Sequence, residues 1–319
     1  MSANYWESTH HKHWLFTKEE LASMRRKLAT DNADIVQTFT LPEIRHLYIY
    51  FNQQLTRLGK RLKVRQQAIA TAQVYIKRFY THIEIRRTNP YLVIATSLYL
   101  ACKLEECPQH IRLIVSEARS LWQDSVLLDT SRLGECEFFL ISELNSQLIV
   151  HQPYRTLSSL QGDLRISNED YALAWSVIND SYMTDLPLLY PPHIVALTAT
   201  LLALVLRPNT PSVQGQTPGL SSPGPAVPNA AAAALAGAHN RPMTPGGGTT
   251  PSDKEKLTEG RVGRVQRFVV WLADSDVDVA AMVDCTQEIL SFYNAHEQYN
   301  DKLTREQISR FVKARGLDK

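Results

Sequence analysis

The charged residues with the clearest chemical potential stand at the end of an apolar run in the first half of the chain. Residues 99–108 read YLACKLEECP, with Lys103 followed by Glu105 and Glu106. A helix C-terminus carries partial negative charge, so it favours cations and disfavours anions. The lysine fits ordinary helix-end chemistry, whereas the two glutamates do not; they could contact a partner or hold the loop that follows the helix.

Cysteine and histidine side chains give no comparable metal or redox signal. Cys102, Cys107, Cys136 and Cys285 form no C-x-x-C pair and follow no recognisable secretory leader, which predicts free thiols in a reducing compartment. The histidines at positions 10, 11 and 13 lack nearby cysteines, so we expect a solvated N-terminal stretch. No P-loop, kinase-type glycine loop or nucleophile with a base pattern occurs, so we expect no catalytic residue, cofactor or metal.

The length and net charge of the chain limit the classes of protein to which it can belong. With 319 residues, the chain is long enough for about two domains that each bury a core. Its 34 basic and 32 acidic residues give a net charge of +2, which points neither to nucleic acid nor to anionic membrane. The apolar runs 91–102 and 194–206 fall short of the roughly 20 residues that a membrane-spanning helix needs. We therefore expect core helices and no membrane partner.

Residues 208–252 differ from the rest of the chain in composition. Pro, Gly, Ser, Thr and Ala dominate, and large apolar residues are almost absent. Such a segment cannot bury enough surface to offset its ordering entropy, which predicts a disordered insertion. Composition alone predicts some Ser/Thr-Pro dipeptides here, but each is also a candidate phosphosite for a proline-directed kinase. These sites are Thr210, Thr217, Ser222, Thr244 and Thr250.

Elsewhere the apolar residues recur at helical spacing. Between residues 69 and 83 they follow an i, i+3, i+4, i+7 pattern, which is typical of one buried helix face. The pattern recurs over 21–28 and 44–55, while few stretches alternate as strands do. The sequence therefore predicts an all-α fold.

The chain also contains an internal repeat. A shift of 102 residues superposes 68–104 on 170–206 without a gap, and apolar residues mostly fall opposite apolar ones. Each copy reads as a helix, a loop and a second helix entered through a proline. The repeat therefore predicts two tandem domains with the same fold. The charged helix end is not repeated, because Val205 occupies the position equivalent to Lys103.

These observations predict the domain boundaries. The insertion at 208–252 interrupts the second domain, and the apolar pattern resumes after it. The remaining predicted segments are an N-terminal segment and helix at 1–40, a first domain at 41–150, a second domain at 151–207 and 253–300, and a C-terminal tail at 301–319.

The first copy resembles a known family. RQQAIATAQVYIKRFY followed by NPYLVIATSLYLACKLEE is similar to the cyclin box, and the fainter second copy resembles the second box of cyclins. NYWESTHHKHWLF, HQPYRTL and AWSVINDSYMTDLPLLYPPHIVAL resemble the cyclin C group, the regulatory subunits of the kinase module of Mediator. The resemblance implies two five-helix cyclin-box bundles preceded by an N-terminal helix.

The resemblance also implies a kinase-binding surface on the first bundle. This surface would grip the helix of a cyclin-dependent kinase whose glutamate pairs with the kinase's β3 lysine. In the family, a lysine at the end of the third box helix and a glutamate early in the fifth make the polar contacts, and they match Lys103 and Glu137. The full predicted set is Lys103, Glu137, Leu100, Leu104, Ile141 and Leu148.

Spacing supports this placement independently of the resemblance. Leu100, Lys103 and Leu104 share one helix face by the i, i+3, i+4 rule. The same spacing places Glu137, Ile141, Leu144 and Leu148 on one face of a second helix. Each face is an apolar stripe with a charge at its edge, which is typical of an interface with an apolar anchor region and a polar rim.

Simpler roles stay open for these residues. Lys103 could serve only the helix dipole, and Glu137 fits a solvated position on an amphipathic helix. Leu100, Ile141 and Leu148 fit ordinary core positions. Sequence alone does not decide between these roles and partner binding.

A second candidate site lies in the second copy. In AWSVINDSY, Trp175 and Asn179 stand one helical turn apart, and Asp180 follows. The resemblance implies that this segment borders a groove between the boxes, so the three residues are a candidate partner groove. An ordinary core role is the alternative for Trp175.

The expected function is that of a non-catalytic regulatory subunit. The resemblance implies a nuclear cyclin that activates the cyclin-dependent kinase of the Mediator kinase module and contacts the module's other subunits. It would regulate RNA polymerase II transcription through phosphorylation of the polymerase C-terminal domain or of transcription factors. Two alternatives are a cyclin of the elongation class and a nucleic-acid-binding basal transcription factor with cyclin-like repeats. A basal transcription factor of this kind needs a basic face and commonly has a zinc ribbon. Neither is evident in the sequence, so no direct nucleic-acid contact is expected.

Overall fold

The computed structural model describes residues 4–123, 125–126, 128–206 and 263–318. The predicted insertion and its five candidate phosphosites therefore lie outside the described residues. Within the described ranges every regular element is helical and no strand occurs, which confirms the all-α prediction.

The described helices group into two compact units. The first comprises Met1–Gln152, Tyr182–Pro191 and Ser291–Lys319, and the second comprises Pro153–Ser181 and Pro192–Leu290. None of the helices that the structure describes is long and apolar enough to cross a membrane. In chain order the helices are α1 (Thr9–His13), α2 (Lys18–Asp31), α3 (Ala33–Thr38), α4 (Ile44–Arg61), α5 (Gln66–His82), α6 (Pro90–Leu104), α7 (Ile111–Leu121), α8 (Thr130–Glu143), α9 (Pro153–Asp163), α10 (Asn168–Ser181), α11 (Leu186–Leu189), α12 (Pro192–Leu206), α13 (263–273), α14 (Val279–Glu297) and α15 (Asp301–Ala314).

Helix α6 forms the centre of the first unit because its sequence is apolar on nearly every face. Asn89 caps its N-terminus by accepting a hydrogen bond from the N–H of Tyr91. Pro90 occupies the first turn, where the missing N–H has no helical partner in any case. A helix that is apolar all round must be surrounded, and α6 packs against α4, α5, α7 and α8. This packing places α8 beside α6.

The C-terminal helix α15 also belongs to the first unit. Ile308, Phe311 and Val312 are buried in the same hydrophobic cluster as the residues of α6. Residues 301–319, which the sequence presents as a tail, thus include a helix with one apolar face at i, i+3, i+4 spacing.

The second unit contains the second copy of the repeat. Helix α10 begins 102 residues after α5, and α12 begins and ends 102 residues after α6. Leu100 in α6 and its equivalent Leu202 in α12 are only 2% and 6% exposed. Within this unit α10 and α12 pack against each other and against α9. The spacing found in the sequence therefore reflects a repeated helical arrangement.

Candidate functional site

The structure brings Lys103 and Glu137 together at the surface of the first unit. Lys103 lies in the last turn of α6 and Glu137 lies in the middle of α8. The Lys103 Nζ donates to both carboxylate oxygens of Glu137, at 2.7 and 3.0 Å. The Lys103 side chain is 40% exposed, and that of Glu137 is 14% exposed. The two helices thus present an ion pair that a partner can reach.

A third side chain, Tyr99, supports this pair. The Lys103 Nζ lies 4.1 Å from the centroid of the Tyr99 ring, a distance typical of a cation–π contact. Burial acts to lower the pKa of Lys103. The hydrogen bonds of Lys103 to Glu137 and Tyr99, together with the negative charge of Glu137, outweigh this effect and raise the pKa. The ammonium group is therefore fully protonated at neutral pH.

Glu105 has a role within the chain. It is the C-cap residue of α6, and Glu106 follows in the left-handed region with φ of 53°. The Glu105 carboxylate accepts hydrogen bonds from Thr71 Oγ1 at 2.6 Å and from Gln152 Nε2 at 3.2 Å. Glu105 thus ties the end of α6 to α5 and to the segment that follows α8. This contact offsets its unfavourable position at a helix C-terminus.

The backbone also stops α6 at this point. The N–H of Cys107 donates to the carbonyl of Cys102 at 3.0 Å, which is the 6→1 bond of a Schellman motif. That motif needs a left-handed residue between its ends, and here it is the exposed Glu106 rather than a glycine. The chain therefore turns at Glu106, shortly after Lys103.

The predicted apolar residues divide between core and surface. Leu100 is buried, so its side chain supports the surface from beneath. Leu104 is 41% exposed, and Ile141 is partly buried against the core. Leu104 and Ile141 therefore extend the exposed face beside the ion pair, on α6 and α8 respectively.

The prediction that Leu148 shares a helix with Glu137 was wrong. Helix α8 ends at Glu143, and Asn145 and Ser146 both adopt left-handed backbone conformations. Leu148 therefore lies in the segment after the helix, where its carbonyl accepts a hydrogen bond from Tyr75 Oη at 2.5 Å. Its side chain is partly buried against the first core, so a role in partner contact stays a prediction.

Sequence reasoning missed two aromatic residues on α8. Phe138 is 78% exposed and follows Glu137 directly, and Phe139 is 41% exposed. Phe139 packs edge-on against Phe79, with ring centroids 5.5 Å apart. The paired phenylalanines in ECEFFL break the polar pattern expected of a solvent-facing helix, and this was the available signal.

A buried cation beneath the N-terminal segment was missed as well. The Arg78 side chain on α5 is fully buried, with its guanidinium carbon 4.8 Å from the centroid of the Trp14 ring. Its Nη1 donates to the carbonyl of Gln147 at 3.2 Å. Burial lowers the pKa of Arg78 to about 9, which still leaves it charged at neutral pH. Arg78 thus links the N-terminal segment to the chain that follows α8.

The N-terminal histidines only partly match the solvated stretch that the sequence predicts. His10 is buried, and its Nδ1 accepts a hydrogen bond from the N–H of His151 at 3.0 Å. Burial lowers the pKa of His10 to about 3, so the ring is neutral at physiological pH. His13 is exposed as expected. Among the described residues no group of three or more His, Cys, Asp or Glu could hold a metal ion.

The residues of the predicted partner groove pack within the second unit. The Trp175 ring lies against that of Tyr154, with centroids 4.3 Å apart. Tyr154 Oη donates to Asn179 Oδ1 at 2.6 Å, and Asp180 is buried. These contacts give Trp175 and Asn179 a structural role, and their contact with a partner stays a prediction.

Comparison with known proteins agrees with this architecture. Residues 12–149 match the family described as cyclin, N-terminal domain. A protein from Gibberella moniliformis is 62% identical in an alignment that covers all of both chains. The chain therefore belongs to the cyclin family.

The full-length relatives define a narrower group. The Gibberella protein is named RNA polymerase II holoenzyme cyclin-like subunit. Proteins of the same name from Neurospora crassa and Aspergillus oryzae are 58% and 52% identical, again with complete coverage of both chains. All three relatives are fungal.

Solved structures share the fold at low sequence identity. A chain in the structure of the CAK complex from Chaetomium thermophilum bound to ATP-gamma-S has a TM-score of 0.60 and 19% identity, with 97% of this chain and 86% of that chain covered. A chain in the yeast TFIIK complex has a TM-score of 0.53 and 21% identity, with 62% and 85% covered. At these identities the likeness shows the cyclin fold.

Proposed function

We propose that this cyclin binds and activates a cyclin-dependent kinase of the Mediator kinase module in the nucleus. It would regulate RNA polymerase II transcription as a non-catalytic subunit that also contacts other subunits of the module. The names of the full-length relatives support the link to the RNA polymerase II holoenzyme. The structural neighbours include a chain of the yeast RNA Pol II CTD kinase CTDK-1 complex, at a TM-score of 0.50 and 18% identity. That neighbour supports a kinase as the partner.

The observation that carries the proposal is the exposed pair of Lys103 and Glu137. The pair joins α6 to α8 and lies beside the exposed Leu104, so a partner meets charge and apolar surface together. A kinase helix that contacts this surface would be held in the position where its glutamate pairs with the β3 lysine. Activation then follows because the cyclin has higher affinity for that kinase conformation than for the inactive one.

The other predicted site residues have different parts in this proposal. Leu104 and Ile141 flank the ion pair, Leu148 lies in the segment after α8, and Leu100 supports the surface from the core. The groove residues Trp175, Asn179 and Asp180 are a separate candidate contact for other module subunits.

The five Ser/Thr-Pro sites of the insertion are candidate substrates of the bound kinase. Proline-directed phosphorylation is the chemistry of the kinase class that a cyclin activates, and each phosphate would add about two negative charges. Intact mass measurement of the purified complex after incubation with ATP tests this idea. The absence of any added phosphate on residues 208–252 would contradict it.

Charge reversal tests the kinase-binding surface. We expect Lys103→Glu and Glu137→Lys each to lose most of the kinase in affinity purification of the full chain, with bound proteins identified by mass spectrometry. Truncating or reversing one partner of a desolvated charged contact costs about 2–5 kcal/mol of binding free energy. Arg305→Glu is the matched control, because it breaks an exposed ion pair with Asp301 on α15.

The controls define what would overturn the assignment. Full kinase recovery with both site variants would show that Lys103 and Glu137 do not form the interface. Equal loss with Arg305→Glu would indicate a general effect of charge reversal. Absence of any kinase from the wild-type purification would contradict the proposed function itself.

A further inference from the structure

Two cysteine side chains meet where α6 ends. The Schellman motif there places Cys102 and Cys107 at the two positions joined by its 6→1 hydrogen bond, and the side chains at these positions commonly touch. The contact is usually between apolar groups, but here one thiol donates a hydrogen bond to the other. Both cysteines are free. The backbone turn that ends the helix therefore also brings two oxidisable sulfur atoms together.

The other two thiols of the chain have different neighbours. Cys136 on α8 forms a hydrogen bond with Thr96, and Cys285 in the second unit forms one with Thr198. In the second copy of the repeat, Leu204 stands at the position equivalent to Cys102. Packing at that position therefore needs only an apolar side chain, so the bundle does not demand a thiol there.

Cys102 and Cys107 differ in accessibility, which gives them different parts in oxidation. Cys107 is half-buried and within reach of a small oxidant, whereas Cys102 is buried. Burial raises the pKa of Cys102 to about 12, and the neighbouring Cys107 thiol adds to this effect. Because the thiolate is the reactive form, Cys102 reacts poorly with an oxidant in solution. Its contact with Cys107 supplies the proximity that favours a reaction between the two side chains.

We propose that Cys102 and Cys107 are a redox site that forms a reversible disulfide on reaction with small hydroperoxides such as hydrogen peroxide. The Cys107 thiolate attacks one peroxide oxygen, the O–O bond breaks, and Cys107 becomes a sulfenic acid while the other oxygen leaves as water. The Cys102 sulfur then attacks the Cys107 sulfur, and the displaced hydroxide takes the Cys102 proton to form a second water. The two thiols lose two electrons, and the peroxide gains them.

The disulfide would enclose the charged end of α6. Residues 103–106 lie between the two cysteines, so the closed ring contains both Lys103 and the exposed Leu104. Oxidation would therefore constrain the turn that follows the ion pair. In a reducing compartment, thiol exchange would reopen the bond, as is usual for disulfides that sense oxidants. This chemistry is independent of the proposed kinase binding.

Peptide mapping of the full-length protein tests this site. Pre-reduced, folded protein is treated briefly with hydrogen peroxide, its remaining thiols are alkylated, and the chain is digested with trypsin. Cleavage after Lys103 puts Cys102 and Cys107 on separate peptides, which only a disulfide keeps joined. We expect the joined peptides in treated wild type and their separation after dithiothreitol. Cys136→Ser, which removes the other half-buried thiol, is the matched control and should give the wild-type yield.

A second variant separates the two steps of the reaction. In Cys102→Ala the thiol that closes the disulfide is absent, so we expect Cys107 to accumulate as a sulfenic acid that dimedone labels severalfold more than in wild type. Unjoined peptides in treated wild type would overturn the inference, and this result decides even where Cys102→Ala folds poorly. Joining of Cys107 to Cys136, or to Cys107 of a second copy, would also overturn it.

Discussion

Helices α6 and α12 are equivalent in the two copies but end differently. Both contain 15 residues, begin with proline and bury a leucine at the equivalent positions 100 and 202. Near their C-termini, α6 has Lys103 paired with Glu137, whereas α12 has the exposed Val205. The shared positions are those that packing requires. The differing position faces outward, so the fold does not demand the charge.

The comparison separates residues that maintain the bundle from residues available for binding. A buried leucine is retained in both copies because its loss leaves a cavity. An exposed ion pair contributes little to stability, so selection for folding alone gives little reason to keep it. The Lys103 surface is therefore the part of the first bundle most directly attributable to function.

The largest expected effect concerns the shared core position. We expect Leu100→Ala and Leu202→Ala each to lower the free energy of unfolding by about 2–5 kcal/mol, because both create cavities. Chemical denaturation, combined with hydrogen exchange to locate the effect in each unit, measures this change. Leu104→Ala, at an exposed position, is the control and should change stability by about 0.5 kcal/mol or less. A stable Leu100→Ala variant that fails to bind kinase would instead assign Leu100 to the interface.

A smaller effect concerns the pH dependence of stability in the first unit. Lys77 on α5 is buried with its Nζ 3.1 Å from the Tyr48 ring centroid, and Arg25 and Asp185 also face it. Burial lowers the pKa of Lys77 from 10.5 to about 7. Between pH 7 and pH 10.5 the unfolded chain binds a proton on Lys77 that the folded chain does not. The contribution of Lys77 to stability therefore rises with pH over this range and is flat below about pH 7. The equivalent residue in the second copy, Asn179, does not titrate.

Urea denaturation from pH 6 to pH 9 measures the Lys77 contribution. We expect wild type to gain stability over this range relative to Lys77→Met, which removes the titrating group while keeping an apolar stem. Lys60→Met, at an exposed position on α4, should leave the wild-type slope unchanged. Parallel curves for wild type and Lys77→Met would show that Lys77 keeps its ordinary pKa.

Much of this organisation was predictable because it depends on local patterns. The apolar run and Pro90 predicted α6, and the shift of 102 residues predicted the equivalence of α6 and α12. Lys103 and Glu137 are 34 residues apart, so spacing alone could not pair them. Resemblance to cyclins supplied that link.

The missed features depend on contacts that are distant in sequence or on backbone turns without the usual residues. The apolar period through Leu148 continued past the end of α8, where Asn145 and Ser146 adopt left-handed conformations without a glycine or proline to mark them. The burial of Arg78 depends on Trp14, which is 64 residues away in sequence and lies against the guanidinium group. Such burial follows only from the assembled unit.

The substitution that tests the central claim most directly has a smaller expected effect on stability than the core and Lys77 variants. Lys103→Val places the second copy's residue in the first and should change the free energy of unfolding by no more than about 1 kcal/mol, because the Lys103 side chain is 40% exposed. The decisive measurement is the affinity of this full-length variant for its kinase, with the melting temperature measured in parallel. The account predicts clearly weaker kinase binding at a melting temperature within a few degrees of that of wild type. Wild-type affinity in Lys103→Val would contradict it.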